Sequence, residues 1–298
     1  NTTPLASYRG AGRPDVAYVV ESLVNQAAAE IGMDPAELRR RNFIPPSAFP
    51  YSSPTAGVYG GIYEKADLPG MLEKALKLAD WKGFAERRAK SKAAGKLRGI
   101  GISTVIENTG LGTAPVDEVE IQLEADGTVT AFTVAKSQGQ SHETTYAQIV
   151  AKALEIELAQ VKIVECAPGT VGAGSLCHLA ALKLIDEGKA LAALELGVEP
   201  SQVAYARGEF TTSASDRVVK LADLAKAGTL TFKADGKFGH TWPNGCHIAE
   251  VEVDPDTGAT DIVSYCAVDD IGTVINHAVV EGQLHGGMAQ GAGQVFGE

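Results

Sequence analysis

The sequence has few of the residues that build metal cages and disulfide scaffolds. Its 298 residues include four cysteines, and no two of them form a C-x-x-C pair. They are Cys166, Cys177, Cys246 and Cys266. This spacing argues against a zinc or iron–sulfur cage and against a disulfide framework. The six histidines also lack a close H-x-x-x-H pair. Unpaired cysteines are typical of a reducing compartment, so we expect a cytoplasmic protein.

The chain also lacks an excess of positive charge and any long apolar run. Its formal net charge is −11, with 26 Lys and Arg against 37 Asp and Glu. A nucleic acid or an anionic membrane surface favours a basic face, so we expect neither partner. No apolar run approaches the roughly 18 residues of a transmembrane helix, so we expect no membrane span.

Hydrophobic periodicity predicts helices and strands in mixed order. The predicted helices are 14–31, 35–42, about 67–91, about 143–156, about 178–196 and one from about 278. The predicted strands are 99–106, 116–125, 128–136, 160–165, 247–254 and 261–270. Hairpin signals stand at 126–127, 207–208, 235–236 and 254–258. Because no regular βαβ repeat is present, we expect an α+β fold with mixed sheets and packed helices.

Three glycine-rich segments are candidate ligand sites, and the first is the loop 7–14 before the first predicted helix. It places Arg9 and Arg13 beside Gly10 and Gly12. Backbone N–H groups at a helix N-terminus and guanidinium groups both bind oxyanions. The alternative is a helix-entry loop with surface arginines. The segment alone favours that alternative, because short glycine motifs recur by chance.

The second segment, 137–144, lies between a predicted strand and a predicted helix. Gln138 and Gln140 flank Gly139, and carboxamides both donate and accept hydrogen bonds. Such a turn suits a heterocycle or a phosphate ester bound at the start of the helix. It is equally typical of a polar turn in which Ser141 caps the helix.

The third segment runs from Ala267 to Gly291 and ends in a predicted helix rich in glycine. The glycines on this helix are at positions 282, 286, 287, 291 and 293. Each costs a helix about 1 kcal/mol relative to alanine. We therefore expect another helix or a bound ligand to approach this strip closely, with helix packing slightly favoured.

No segment contains a local catalytic signature such as G-x-S-x-G or a Walker loop. In their order, however, five stretches resemble the large subunit of the xanthine dehydrogenase/aldehyde oxidase family. The resemblance is to its bacterial branch, which includes aerobic carbon monoxide dehydrogenase homologues. The stretches are PLASYRGAGRPDVAYVVESLV, DPAELRRRNFIP, QGQSHETTYAQIVA, WPNGCHIAEVEVDPDTG and AVDDIGTVINHAVVEGQLHGGMAQGAGQ.

The resemblance implies a catalytic subunit that binds a molybdenum cofactor. It assigns 1–97 to the C-terminal part of a first molybdenum-cofactor-binding domain and 98–298 to an incomplete second one. The cofactor would be molybdopterin cytosine dinucleotide, whose dithiolene holds the molybdenum without a protein ligand. Such enzymes hydroxylate aldehydes or N-heterocycles with water as the oxygen source. An iron–sulfur small subunit and an FAD-binding medium subunit would carry the electrons, in a dimer of heterotrimers.

The resemblance also assigns roles to individual residues. Arg9 would face the substrate side of the molybdenum. Gln138, Gly139 and Gln140 would contact the pterin, whereas another set would hold the dinucleotide and the pterin. That set is Asp269, Ile275, Asn276 and Gln283. Further cofactor contacts are expected at Tyr8, Gly10, Ser141, His142, Thr170, Gly172 and Ser175.

Several departures from the family pattern qualify these expectations. Gly10 stands where family members that oxidise carbon monoxide carry a cysteine, which argues against that substrate. A family segment is shortened near Gly172 and Ala173. The family's N-terminal half and the later G-x-G-E segment with the catalytic glutamate base are missing. We assign that base to neither Glu143 nor Glu281, and we expect a partial record of a longer subunit.

Two alternatives to a catalytic subunit remain open. One is a non-catalytic fragment or assembly module that binds the cofactor or a partner subunit without turnover. The other is an unrelated enzyme with a phosphate-containing ligand, which requires the ordered motif match to be a coincidence. The sequence does not identify the substrate, because pocket specificity depends on side chains scattered over loops.

Overall fold

A computed structural model describes residues 9–54, 61–109, 117–166 and 172–297. The α-helices are α1 (Arg13–Glu30), α2 (Pro35–Asn42), α3 (Leu68–Leu78), α4 (Phe84–Ala93), α5 (His142–Leu154), α6 (Ala173–Leu196) and α7 (His277–Phe296). The strands are β1 (Tyr51–Ser52), β2 (Ile62–Tyr63), β3 (Leu97–Ile106), β4 (Asp117–Leu123), β5 (Val129–Thr133), β6 (Val161–Glu165), β7 (Val203–Ala206), β8 (Glu209–Thr212), β9 (Ser215–Lys220), β10 (Leu230–Gly236), β11 (Asn244–Val253) and β12 (Thr260–Asp270).

The chain forms two compact units, each with its own core. The first unit comprises 1–109 and 240–272, and the second comprises 110–239 and 273–298. The units are compact bodies of the fold, whereas the predicted division at 97/98 separates two family domains. That division stays a prediction. Both units combine sheets with packed helices, so the α+β fold class is confirmed.

The first unit is built on an antiparallel sheet with the strand order β12-β11-β3. One face of the sheet carries the buried Ile102, Cys246 and Ile248. Helix α3 packs on this face with Leu72 and Ala75, which have no exposed surface. Alternation of side chains along the strands leaves the neighbouring residues, including His247, on the opposite face.

A buried ion pair covers the edge strand β3 of this sheet. The Glu21 carboxylate accepts a hydrogen bond from the Thr104 backbone N–H at 3.2 Å. The Arg39 guanidinium donates to the Ile102 carbonyl at 3.1 Å and to Glu21 at 2.5 Å. The Arg39 and Glu21 side chains are only 3% and 14% exposed. The pair therefore satisfies backbone groups that would otherwise be unpaired at a sheet edge.

The second unit contains a mixed sheet with the strand order β10-β4-β5-β6. Strands β5 and β6 are parallel and are joined through α5, whereas the other pairs are antiparallel. Helices α5 and α6 cover the sheet, with Leu154 and Leu184 fully buried above Ile121. A meander of β7, β8 and β9 adds the fully buried Phe210 to the same core.

Three predicted boundaries are wrong. The helix predicted over 67–91 is two helices, because Asp80 adopts a left-handed φ of 45° and a 3-10 turn follows it. The hairpin predicted at 235–236 is absent from the described fold, since both residues belong to β10 and pair with β4. Helix α6 begins at Ala173, five residues before the predicted start.

The last helix, α7, differs from the others in its burial. None of its described residues is buried, although many of them are apolar or glycine. Within the described ranges, no helix combines the length and the apolarity required to cross a bilayer.

Candidate functional site

The topology of the second unit directs two loops to one edge of its sheet. Because β5 and β6 are parallel, their carboxyl ends lie at the same edge. The chain leaves β5 to enter α5 and leaves β6 to enter α6, so both helix N-termini lie at that edge. Ligands of α/β sheets bind outside the carboxyl ends of parallel strands, and helix N-termini favour anions. We call this region the loop edge, defined by residues 137–142, 172–175 and 275–283.

The loop 137–142 is held in a sharply turned conformation. Gly139 and Ser141 have left-handed φ values of 98° and 55°. The Glu165 carboxylate accepts a hydrogen bond from the Ser137 backbone N–H at 2.8 Å. The Gln140 side chain accepts one from the backbone of Gln138. As a result, Gln138 and Gly139 are exposed at the edge, where they present backbone and carboxamide groups.

Ser141 stands at the N-cap position of α5, as its sequence position predicted. Its hydroxyl makes no capping bond within the described residues. Instead, the Ser141 carbonyl accepts hydrogen bonds from the backbone N–H groups of Thr144 and Thr145 at 3.1 and 2.9 Å. The first N–H groups of the helix are therefore not satisfied by this side chain, which leaves the helix N-terminus available to an anion.

His142 begins α5 and is largely buried. Its ring stacks on Tyr146 at a centroid distance of 4.5 Å, and 14% of its side chain is exposed. Burial lowers the pKa of His142, although the Glu165 carboxylate opposes the shift. The buried Nδ1 atom lies 3.8 Å from the Glu165 carboxylate and has no hydrogen-bond partner among the described residues. His142 therefore lies at the loop edge with one ring nitrogen buried beside the Glu165 carboxylate.

Helix α7 connects the third predicted segment to the second. The Gln283 side chain donates a hydrogen bond to the Gly139 carbonyl at 2.9 Å. Asn276 caps α7 by accepting from the Val279 backbone at 3.1 Å, and it donates to Gln148 of α5 at the same distance. Two segments more than 130 residues apart in sequence therefore meet at one edge.

The start of α6 supplies the third part of the loop edge. The Gly172 backbone N–H donates to the Asp117 carboxylate at 3.0 Å. A Cβ atom at Gly172 would lie 2.2 Å from the Phe238 ring, so only glycine fits. Ser175 is exposed in the first turn of the helix, and Ile275 is exposed just before α7. The predicted residues Tyr8 and Thr170 lie outside the described residues.

The first predicted segment belongs to the first unit and leads into α1. Arg9 is exposed, and Gly10 adopts a left-handed φ of 90°. A Cβ atom at Gly10 would lie 2.6 Å from Pro14. Arg13 pairs with Glu107 and therefore ties the loop to the end of β3. The helix-entry reading accounts for Gly10 and Arg13, whereas the role assigned to Arg9 stays a prediction.

Asp269 also belongs to the first unit, where it has partners that the sequence did not reveal. Its carboxylate oxygens lie 3.1 and 3.2 Å from His247 Nε2. The other ring nitrogen of His247 lies 2.8 Å from the Tyr265 hydroxyl. A register shift in the hairpin between Glu250 and Val251 brings these three residues to one face. If strand pairing is counted back from the turn without that shift, His247 falls on the opposite face from Tyr265 and Asp269. The sequence alone therefore gave no sign that the three residues meet.

No group of three or more His, Cys, Asp or Glu side chains in the described part of the chain has the arrangement of a metal site. The donors at the loop edge are instead backbone groups, carboxamides and one imidazole. Such a set binds an organic ligand with several polar atoms rather than a bare metal ion.

The chain belongs to the molybdopterin cofactor-binding domain family. One family model of that description matches residues 74–298, and a second one matches residues 1–43. The predicted membership of the xanthine dehydrogenase/aldehyde oxidase family is therefore confirmed.

The relatives are large subunits of molybdenum enzymes. The chain is 30% identical to the carbon monoxide dehydrogenase large chain of Hydrogenophaga pseudoflava, over 95% of this chain and 40% of the relative. It is 29% identical to the 6-hydroxypseudooxynicotine dehydrogenase complex subunit gamma of Paenarthrobacter nicotinovorans, over 98% of this chain and 40% of the relative.

A solved structure with the same fold is that of quinoline 2-oxidoreductase from Pseudomonas putida 86. Its TM-score is 0.84 at 29% identity, over 98% of this chain and 41% of that one. The chain therefore spans about 40% of the length of the relatives that it matches.

Proposed function

We propose that the chain is the molybdenum-cofactor-binding part of a hydroxylase large subunit. The enzyme oxidises an aldehyde or an N-heterocycle with oxygen from water. The observation that carries the proposal is the contact between Gln283 and Gly139, which joins two separate family motifs at one edge. Motifs that served only helix capping and helix packing have no reason to converge in this way.

The residues at the loop edge fit the proposed cofactor, molybdopterin cytosine dinucleotide. The N-terminus of α5 suits its pyrophosphate, since it supplies backbone N–H groups and a favourable dipole. At the N-terminus of α6 the Asp117 carboxylate already accepts from the Gly172 N–H. The exposed Gln138 carboxamide suits polar atoms of the pterin or the base. When bound, the cofactor supplies the redox chemistry, and the protein supplies binding and orientation.

The chain's own residues have positioning roles in this proposal. Gln283 holds the Gly139 carbonyl and thereby fixes the turn whose N–H groups and carboxamides meet the cofactor. Glu165 fixes the same loop from its other end through Ser137. In the first unit, Arg9 is proposed to face the substrate. The general base is proposed to be a glutamate outside this chain.

The substrate class follows from the departure at Gly10. Where the family's carbon monoxide enzymes carry a cysteine thiol, this chain offers only a backbone hydrogen atom, so the proposed substrate is not carbon monoxide. The similarity to enzymes of quinoline and of a nicotine derivative supports an N-heterocycle, with an aldehyde as the other class. The proposed partners are an iron–sulfur subunit and an FAD subunit, in a cytoplasmic dimer of heterotrimers.

The second candidate is a cofactor-binding or assembly module without turnover. The donors at the loop edge fit it, because backbone groups and carboxamides bind a cofactor and do not by themselves supply a general base. The two candidates are separated by mixing the chain with the iron–sulfur and flavin subunits, quinoline or an aldehyde, and a dye acceptor. Molybdenum-dependent reduction of the dye supports the catalytic subunit. A preparation that holds the cofactor and never reduces the dye supports the module.

A further inference from the structure

Strand β12 lies at an open edge of the sheet in the first unit. Among the strands that the structure describes, the order β12-β11-β3 gives it a partner on one side only. None of its eleven residues is buried. Its large apolar side chains, Ile262, Val263 and Tyr265, are between 40% and 42% exposed. From Ser264 to Asp270 its pairing with β11 is regular, so the opposite side of this stretch presents an ordered row of main-chain groups.

The register of the sheet shows which main-chain groups of β12 point outward. At the other edge, the outer groups of β3 are those of Ile102 and Thr104, which bond to side chains of α1 and α2. In an antiparallel sheet, the N–H and C=O of one residue point to the same side, and successive residues alternate. By that alternation, Cys266 and Val268 bond to β11. The residues whose main-chain groups point outward are Tyr265, Ala267 and Asp269.

The two edges of this sheet differ in how they are covered. Glu21 and Arg39 cover the edge of β3. In the described part of the chain, no side chain bonds to the main chain of 261–269 in this way. β12 also contains none of the lysine, arginine or proline residues that commonly protect an edge. An uncovered edge of this kind is a template to which a strand of another polypeptide adds.

The side chains of β12 restrict the strand that fits. The exposed apolar residues lie between two acidic ends, Asp261 and Asp270. Both side chains are exposed, and neither forms a salt bridge with another described residue. Opposite charges that face each other across two strands stabilise the pairing, whereas like charges destabilise it. A second copy of this chain fits poorly, because pairing two β12 strands along their full length places Asp261 opposite Asp269.

We propose that β12 is the docking edge for an extended segment of a partner polypeptide. The segment is apolar in its middle and carries lysine or arginine at both ends. It adds to the sheet as a fourth strand and exchanges main-chain hydrogen bonds with Tyr265 and Ala267. Its basic ends face Asp261 and Asp270. The inference does not depend on cofactor binding, and it gives the first unit a role in assembly.

Amide hydrogen exchange, followed by NMR on the full chain, tests the strand addition residue by residue. In the chain alone, the Tyr265 and Ala267 amides should exchange at least about 10-fold faster than those of Cys266 and Val268, which bond to β11. The probe is the peptide acetyl-KTVTVTVTVK-amide, whose lysines are spaced like the acidic ends of β12. At saturation it should slow the two outward amides by about 10-fold or more and leave the two inner ones unchanged.

Matched controls separate the main chain from the charges. The same peptide N-methylated along its whole main chain keeps every side chain and loses every donor, so it should protect neither outward amide. Asp261→Lys should weaken binding of the unmethylated peptide about 5-fold or more, because it replaces an attractive cross-strand pair with a repulsive one. Asp216→Lys makes the same change at an exposed residue of β9 in the second unit and should leave the affinity unchanged.

Several outcomes would overturn the proposal. Slow exchange of Tyr265 and Ala267 in the chain alone, at every chain concentration, would show that this edge is already covered. Protection that grows with the concentration of the chain alone would identify a second copy as the occupant. No added protection at about 1 mM peptide would show that no strand of this chemistry adds. Equal binding of a peptide with glutamates in place of both lysines would contradict the basic ends.

Discussion

At the scale of single residues, Glu21 and Arg39 form hydrogen bonds with the outer edge of β3, where a neighbouring strand would otherwise pair. The carboxylate accepts from the backbone of Thr104, and the guanidinium donates to the backbone of Ile102. These charged groups thereby connect helices α1 and α2 to the edge of β3. Sequence reasoning did not single out either residue, because their role depends on which strand lies at the edge.

The substitution Arg39→Ala tests this arrangement. It leaves the buried Glu21 charge and the Ile102 carbonyl unpaired, and we expect a loss of about 3–5 kcal/mol of unfolding free energy. Urea unfolding measures the loss. The control is Arg41→Ala, which removes an exposed pair with Glu37 on the same helix and should leave the midpoint unchanged. Equal effects of the two substitutions would contradict the edge-covering role.

His142 predicts a pH dependence of stability. Its pKa is lowered below the ordinary value of 6.5 by burial, so the unfolded state binds the proton more readily. Unfolding free energy should therefore fall as the pH drops from 7 through 6.5 and below. His142→Gln should remove part of that fall, whereas His277→Gln, at a side chain 80% exposed, should not. Urea titrations at several pH values measure it, and parallel curves for the wild type and His142→Gln would refute the assignment.

At the scale of elements, hydrophobic periodicity predicted most helices and strands. Each element buries one face, and this burial produces the periodic pattern of apolar residues. Helix α2 was predicted with its observed bounds, and its cap is explicit, since Asp34 accepts from two backbone N–H groups. The break at Asp80 was missed, because a left-handed aspartate leaves no mark on the apolar pattern. The hairpin predicted at 235–236 failed because the pairing of β10 with β4 continues through Gly236.

The candidate site residues were also predicted only in part from the sequence. The loop 137–142 and the start of α7 were predicted from their glycines and carboxamides, and they meet through Gln283. The row of Tyr265, His247 and Asp269 was missed, because a bulge in the hairpin decides which residues share a face. One inserted residue exchanges the two faces of the rest of a strand. No local sequence pattern indicated this insertion.

Gly188 of α6 and Gly291 of α7 have different surroundings in the structure. In α6, a Cβ atom at Gly188 would lie 2.7 Å from the buried Phe210 ring, so close packing requires glycine. In α7, no described atom lies within 4 Å of a Cβ atom built at Gly291. The close approach expected at the α7 glycine strip is therefore not provided by the described residues at this position.

Alanine substitutions test this difference. Gly188→Ala should cost about 1–3 kcal/mol of unfolding free energy, because Phe210 cannot move without opening the core. Gly291→Ala should raise the unfolding free energy by as much as about 1 kcal/mol, because alanine favours a helix and its methyl group would contact no described atom. Urea unfolding of both variants measures the two effects. A loss of stability in Gly291→Ala would show that a close neighbour exists in solution.

At the scale of the whole molecule, the two units bring different chemistry to the proposed function. The second unit supplies the loop edge, with backbone donors, carboxamides and His142. The first unit contains Arg9 and Asp269, whose assigned roles stay predictions. The chain spans about 40% of the length of these relatives.

The contact between Gln283 and Gly139 gives a prediction at this scale. Gln283→Ala removes the bond that joins α7 to the loop 137–142, so the purified chain should hold about 10-fold less molybdenum. Gln294→Ala removes an exposed glutamine of the same helix and should have no effect. Elemental analysis of both variants measures this. Equal molybdenum contents in the two variants would show that the contact does not support cofactor binding.

The most direct test is the molybdenum and nucleotide content of the native protein. The chain is purified from cells that make the cofactor, and molybdenum and released cytidine nucleotide are measured against protein. We expect about one molybdenum and one cytidine nucleotide per chain, because one loop edge holds one cofactor. Neither molybdenum nor nucleotide in such a preparation would contradict it and favour an assembly module that binds a partner subunit instead of the cofactor.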